Sequence, residues 1–240
     1  MEGSIHCDYH IAFSGGLLQS STGFGYSLIC MSAYSLVLPV KQALILQATA
    51  ATFTIGWYAW RQKKHVNLRL FLVPALFAVF FTWVGMETAL AIDEALLRRC
   101  LGVMLVLLSL YSLFGNGRIH ISKGFAGQAV AGTVSGLLGG LTNMSGPPMV
   151  LYLLQVTEDK DEYNGTLQAI FFVTTFFKTL VNGLSARLGL QIWAALPPLL
   201  MSTVLGSVIG FRLFASMDMS AVKHAVNVLM VAVGIYYTFS

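Results

Sequence analysis

Eight stretches of this chain run on with little or no charge: residues 11–40, 42–60, 70–86, 100–117, 124–157, 163–177, 188–211 and 225–240. Crossing a lipid bilayer takes about 20 apolar residues of α-helix. Only 10% of the residues are charged, against roughly 25% in an ordinary soluble domain. The implied class is an all-α integral membrane protein of about eight hydrophobic segments, embedded in a lipid bilayer. Its net charge of +4 comes mainly from loops such as RQKKHVNLR, Arg61 to Arg69, so it reports orientation and lipid headgroups rather than nucleic acid. Glu2 and Asp8, with no basic stretch before the first apolar run, argue against a cleavable signal peptide.

Residue spacings recur along the chain. At an offset of 125 positions Gly85 meets Gly210, Asp93 meets Asp218, Arg98 meets Lys223, Tyr111 meets Tyr236 and Phe114 meets Phe239. Nearer the start of each half the offset is 121, pairing Ser14 and Gly15 with Ser135 and Gly136, and Gly25 with Gly146. The pattern reads as two homologous halves, 1–117 and 118–240, in one membrane domain with four elements to a half, a plan used by transporters. The halves are inverted if both glycine-rich opening elements fold back, and parallel if every element crosses. With every element crossing, the loop lysines and arginines divide seven against six. With both folding back they divide nine (Arg61, Lys63, Lys64, Arg69, Arg118, Lys123, Lys160, Arg212, Lys223) against four (Lys41, Arg98, Arg99, Arg187). Positive charge gathers on the cytoplasmic side, so the more lopsided split predicts an inverted repeat with both termini outside.

The element at 124–157 has 34 residues. As one straight helix it would run about 51 Å, against a hydrocarbon core of about 30 Å. Its centre, GLTNMSGPPMV, contains the reason to break. Gly146 relieves steric limits, Pro147 and Pro148 suit the first turn of a new helix, and Asn143 or Ser145 stands where an N-cap belongs. A helix restarting at Pro147 and running to Val156 would aim its N-terminal N–H groups, worth roughly half a positive charge, into the membrane interior, where they would hold an anion. Thr142, Asn143, Ser145 and Gly146 are the candidate ligands. The first half repeats the design in GLLQSSTGFGYSL with Ser20, Ser21, Thr22 and Gly23, although there a single tilted crossing stays open. Two such half-helices would face each other across a pocket near the midplane. Gly132, Gly136 and Gly140, four residues apart, read instead as a stripe for close helix packing.

Lys178 is the basic residue well inside an apolar segment, and a lysine there normally pairs or lines a pathway. It is a candidate anion contact, with Thr174 and Asn182 on the same helical face; snorkelling to the interface is the other reading. Glu87, after Trp83, is either a proton-coupling carboxylate or an acid at headgroup level. Gln47, Thr52 and Gln168 either line the cavity or bond between helices, the commoner case. Cys7, Cys30 and Cys100 have no framework spacing, and the five histidines form no ligand pair, so neither a disulfide nor a metal site is expected, and no cofactor.

The paired glycine-rich elements, SGGLLQSSTGFG and SGLLGGLTNMSGPPMVLYL, each followed by three apolar segments, resemble those of the TauE/SafE sulfite exporter family, in the superfamily of 4-toluene sulfonate uptake permeases. The likeness covers essentially the whole chain. The first motif departs from the family pattern in lacking denser glycines and a following proline. The resemblance implies export or uptake of sulfite, organosulfonates or related small sulfur anions, in a bacterial or archaeal inner membrane. The expected function is a secondary transporter, with protons as a candidate coupling ion, one half moving against the other, and a homo-oligomer left open. A small-anion channel is the alternative. A membrane-embedded enzyme ranks lower, because acids, histidines and nucleophiles are nearly absent from the apolar runs, and no nucleotide-binding GxxxxGK[ST] is present.

Overall fold

The computed structural model describes residues 40–93, 123–185 and 190–216, with isolated positions elsewhere that include Gly15, Gly16, Gln19, Tyr26, Ser27, Cys30 and Tyr34. Every regular element among the described residues is helical: α1 (Val40–Gln62), a short 3-10 turn (Lys63–His65), α2 (Leu68–Ala91), α3 (Phe125–Thr142), α4 (Gly146–Val156), α5 (Lys160–Leu184) and α6 (Leu190–Ser216). Leu68–Ala89 and Lys160–Leu184 are long and apolar enough to cross a membrane. The expected fourth and eighth segments, like Ser20, Ser21, Thr22 and Gly23, lie outside the described residues.

Burial on these helices is inside-out relative to a soluble protein. Phe53, Trp57 and Trp60 of α1, Leu72, Leu76, Phe80 and Trp83 of α2, and Phe176 and Leu180 of α5 are exposed, whereas Gln47, Thr52, Thr82, Thr174, Lys178 and Asn182 of the same helices are buried. Lipid accepts the apolar face, and polar side chains turn inward where protein can satisfy them. The helix starts are built to last at the polar boundary. Asn67 accepts from Arg69 N at 3.0 Å to begin α2. Asp159 accepts from Asp161 N at 2.7 Å and Glu162 N at 2.9 Å to begin α5, and the N–H groups of Glu162 and Asp161 hold its carboxyl below the usual aspartate range.

The glycine stripe packs as its spacing predicts. A Cβ on Gly132 would lie 2.6 Å from Pro74 O, one on Gly136 would meet Ala78 O, and one on Gly140 would meet Thr82 O. Each step of four residues along α3 matches a step of four along α2, so the two helices run parallel and nearly touch backbone to backbone. Thr82 Oγ1 donates to Gly136 O at 3.2 Å across this seam. By contrast α1 and α5 are antiparallel: Gly56 packs on Phe172, Gly165 on Gln62 and His65, and Thr52 Oγ1 bonds Thr179 Oγ1 at 2.8 Å.

These registers show where the 124–157 element begins and ends. Since Gly132 stands opposite Pro74, the start of α3 stands opposite the start of α2, beside the Lys63–Asn67 loop. The start of α5 is there too, because Asn67 Nδ2 donates to Glu162 Oε1 at 2.8 Å and Asn67 N to Thr166 Oγ1 at 3.0 Å. The element therefore enters and leaves on one face as a helical hairpin. Its turn is direct: Ser135 Oγ donates to Ser145 O at 2.6 Å, whereas ten residues of continuous helix would separate them by about 15 Å. The first glycine-rich element also doubles back. A Cβ on Gly15 would lie 2.7 Å from Cys30 Sγ and 3.0 Å from the Tyr26 ring, and Tyr26 N donates to Gln19 Oε1 at 3.3 Å, contacts that a single straight crossing does not allow.

Candidate functional site

The turn of the second hairpin is made by three residues. Asn143 closes α3 in the left-handed region, φ 62°, its N–H donating to Gly139 O at 3.0 Å. Asn adopts this conformation more readily than most residues because its short amide bonds locally. Thr142 Oγ1 donates to Leu138 O at 2.7 Å and accepts from Met144 N at 3.2 Å. Ser145 then holds the N-cap position of α4, but its side chain makes no capping bond. Asn143, the other expected cap, ends α3 instead. Of the four N–H groups that a helix start leaves free, Pro147 and Pro148 remove two, so the donors that remain are Ser145 N and Gly146 N. The expected anion cradle is thus narrower than a helix start without proline would make it.

Lys178 enters from α5. It is 2% exposed, and its Nζ donates to Asn143 Oδ1 at 3.0 Å and to Gly139 O at 3.2 Å. The sequence left snorkelling open, and burial of the ammonium excludes it. The charge sits at the C-terminal end of α3, the negative end of that helix dipole, and not directly before α4. Asn143 completes the junction by donating Nδ2 to Leu44 O of α1 at 2.7 Å. One carboxamide therefore ties together the tip of the hairpin, α5 and α1. The ammonium has three donors, and these contacts engage two.

Leu44 precedes Gln62, Met86 follows Leu68 and Lys178 follows Lys160 by the same eighteen residues, about 27 Å of helix. The hairpin tip, which bonds Leu44 and Lys178 and reaches Met86 through Gly140, therefore lies about 10 Å beyond the middle of all three helices. The first hairpin attaches earlier on α5. Gln19 Nε2 donates to Gln168 Oε1 at 3.0 Å, and Gln168 Nε2 donates to Asn164 Oδ1 at 3.1 Å. Gln168 and Lys178 are about 15 Å apart along α5, one on either side of its middle, so the two hairpins meet α5 at different depths.

The other candidates separate. Asn182 is buried one turn beyond Lys178, and Thr174 turns onto its own helix, donating to Phe171 O at 3.0 Å and Ile170 O at 3.1 Å. Glu87 is exposed and follows Met86, whose backbone Gly140 approaches. Thr52 bonds Thr179 and Ala48 O, as the interhelical reading has it. Sequence reasoning passed over Ser135 and Gly139, which fasten the turn; both lie at helical spacing back from Asn143, eight and four residues, and that spacing was the available signal. Among the described residues no group of three or more His, Cys, Asp or Glu is placed to hold a metal ion.

The family profile described as "Sulfite exporter TauE/SafE" matches residues 10–237. The chain belongs to the TauE/SafE sulfite exporter family. A relative in Cupriavidus necator, named "Probable sulfite/organosulfonate exporter TauE", is 25% identical over 203 residues, covering 80% of this chain and 79% of that protein. No solved structure matches the chain. The resemblance carried by the two glycine-rich motifs is thereby borne out, and membrane transport is the activity of the TauE/SafE family to which the hairpins belong.

Proposed function

We propose that this chain is a secondary transporter that exports small sulfur-containing anions, sulfite or organosulfonates, from a bacterial cytoplasm across the inner membrane. The observation that carries the reading is the buried Lys178 ammonium held at a helix break inside the membrane region of an exporter-family chain. A buried cation with one donor uncommitted among the described residues suits an oxyanion, and the Ser145 and Gly146 N–H groups lie in the same turn; the Thr142 hydroxyl joins them by exchanging its bond to Leu138 O for one to the anion. Asn182 adds an amide one turn along α5. Ser20, Ser21, Thr22 and Gly23 are the corresponding candidate ligands from the first half. When the anion leaves, Asn143 and Gly139 O still solvate the ammonium, so the empty site does not strand a bare charge in a region of low dielectric. The halves 1–117 and 118–240 form an inverted repeat about this site, with Glu87 the candidate for proton coupling.

The test is uptake of radiosulfur-labelled sulfite into proteoliposomes, with and without a pH gradient, competed by organosulfonates, sulfate and acetate. Saturable uptake inhibited by organosulfonates is expected, and Lys178→Gln should lower it at least tenfold at equal folded yield, as loss of a hydrogen bond to a charged group implies. Absence of saturable uptake in verified reconstitutions refutes the reading.

A further inference from the structure

Building on the reading of the site as an oxyanion pocket, we propose that Gln47 is a specificity-determining ligand, a neutral carboxamide on α1 that donates to a sulfur-bound oxygen of the anion. Gln47 is 1% exposed. Its Nε2 donates to Ser27 Oγ at 2.8 Å, while its buried Oε1 has no partner among the described atoms. Buried polar side-chain atoms nearly always have a partner, and a native orphan calls for an explanation such as a bound species.

Position indicates the species. Asn143 Nδ2 reaches Leu44 O, and a donor that approaches a helical carbonyl from outside comes in beside the side chains three and four residues on, here Gln47 and Ala48. Gln47 therefore lies one turn along α1 from the carbonyl that holds the tip of the second hairpin, while Ser27 ties it to the first glycine-rich element. The Ser27 hydroxyl both donates and accepts. The carboxamide can turn over about its terminal bond and keep Ser27, with Ser27 donating to Oε1 and Nε2 released as the free end. Sulfite and sulfonate oxygens are acceptors, so they take the amide in this pose. Lys178 offers charge from α5 and Gln47 offers an uncharged, directional donor from α1, which selects for where the oxygens lie rather than for total charge.

The test measures Kd for sulfite and for a short alkanesulfonate on the purified full-length protein in detergent, with thermal melting alongside. Gln47→Leu removes the orphan end together with the Ser27 bond, and the protein is expected to remain folded with both Kd values raised about tenfold. Gln47→Glu, of the same shape but negative, is expected to abolish binding. A folded Gln47→Leu with unchanged Kd overturns the proposal and leaves Gln47 as a strut between helices. Should Gln47→Leu fail to fold, Gln47→Asn withdraws the amide by one methylene and is read in the same way: weaker binding supports the proposal and an unchanged Kd overturns it. Wild-type protein that binds neither anion sinks the pocket itself, a result distinct from a wild type that binds and a variant that binds equally well.

Discussion

Asn143 serves backbone and side chain at once, and the two roles can be separated. Its φ of 62° ends α3, a conformation that costs an ordinary L-residue about 1–2 kcal/mol, and its amide joins Lys178 to Leu44 O. Asn143→Gly keeps the turn and loses the amide. Asn143→Ala loses the amide and adds backbone strain. Melting in detergent should therefore rank wild type above Gly and Gly above Ala, the first step being the larger because a hydrogen bond to a charged group contributes about 1.5–3 kcal/mol; Ala above Gly would contradict the left-handed assignment. The sequence pointed to this residue because an amide next to two prolines has no use in simple packing. It did not reveal that Asn143 partners Lys178, since residues 35 apart meet only through the packing of α5 on the hairpin. Nor did it separate a ligand from a residue that positions one.

At the scale of elements, the hairpin was legible and its attachments were not. Pro147 and Pro148 fix a helix start wherever they occur, and Gly132, Gly136 and Gly140 fix one thin face on α3, because both effects are local. The helix that lies on the thin face is a matter of topology, and it is α2, running parallel. Gly136→Ala should thus separate α2 from α3: the added methyl would strike the Ala78 backbone, which has no rotamer to move. Overpacking of this kind costs about 1–3 kcal/mol, to be read as lost folded yield and a lower melting temperature, whereas Ala129→Gly on the less buried side of the same helix should cost only about 1 kcal/mol through propensity. The cap of α5 gives a pH prediction. Asp159 has its carboxyl held below the usual range by the Glu162 and Asp161 N–H groups, so its stabilisation is present above the unfolded aspartate value of about 4 and is lost as pH falls through the lower folded value. Between pH 5 and 3 the wild type should lose more melting temperature than Asp159→Asn, whose amide oxygen caps without titrating.

In the molecule as a whole, each hairpin is bonded to both α1 and α5. The first reaches α5 through Gln19 and Gln168 and α1 through Ser27 and Gln47. The second reaches α1 through Asn143 and Leu44 O and α5 through Asn143 and Lys178. Between them α1 and α5 bond directly through Thr52 and Thr179. The repeat in the sequence suggests that the half at 1–117 rocks against the half at 118–240, but buried polar contacts cross from one half to the other at Gln19 and Gln168, at Asn143 and Leu44 O, and between α1 and α5 at Thr52 and Thr179. Rocking along that boundary would break these contacts together, leaving buried donors and acceptors unpaired at about 1–3 kcal/mol each. Motion is cheaper if α1 and α5 stay together as a frame and other helices move against it. Thr52→Cys with Thr179→Cys, in a background where Cys7, Cys30 and Cys100 are replaced by Ser, brings this to a decision. Oxidation should lock the α1–α5 contact and leave sulfite transport within about twofold of the reduced protein, since a step that never separates these helices gains nothing from their freedom. Transport that stops on oxidation and returns on reduction would place the moving boundary between α1 and α5 and restore the two halves as the rocking bodies.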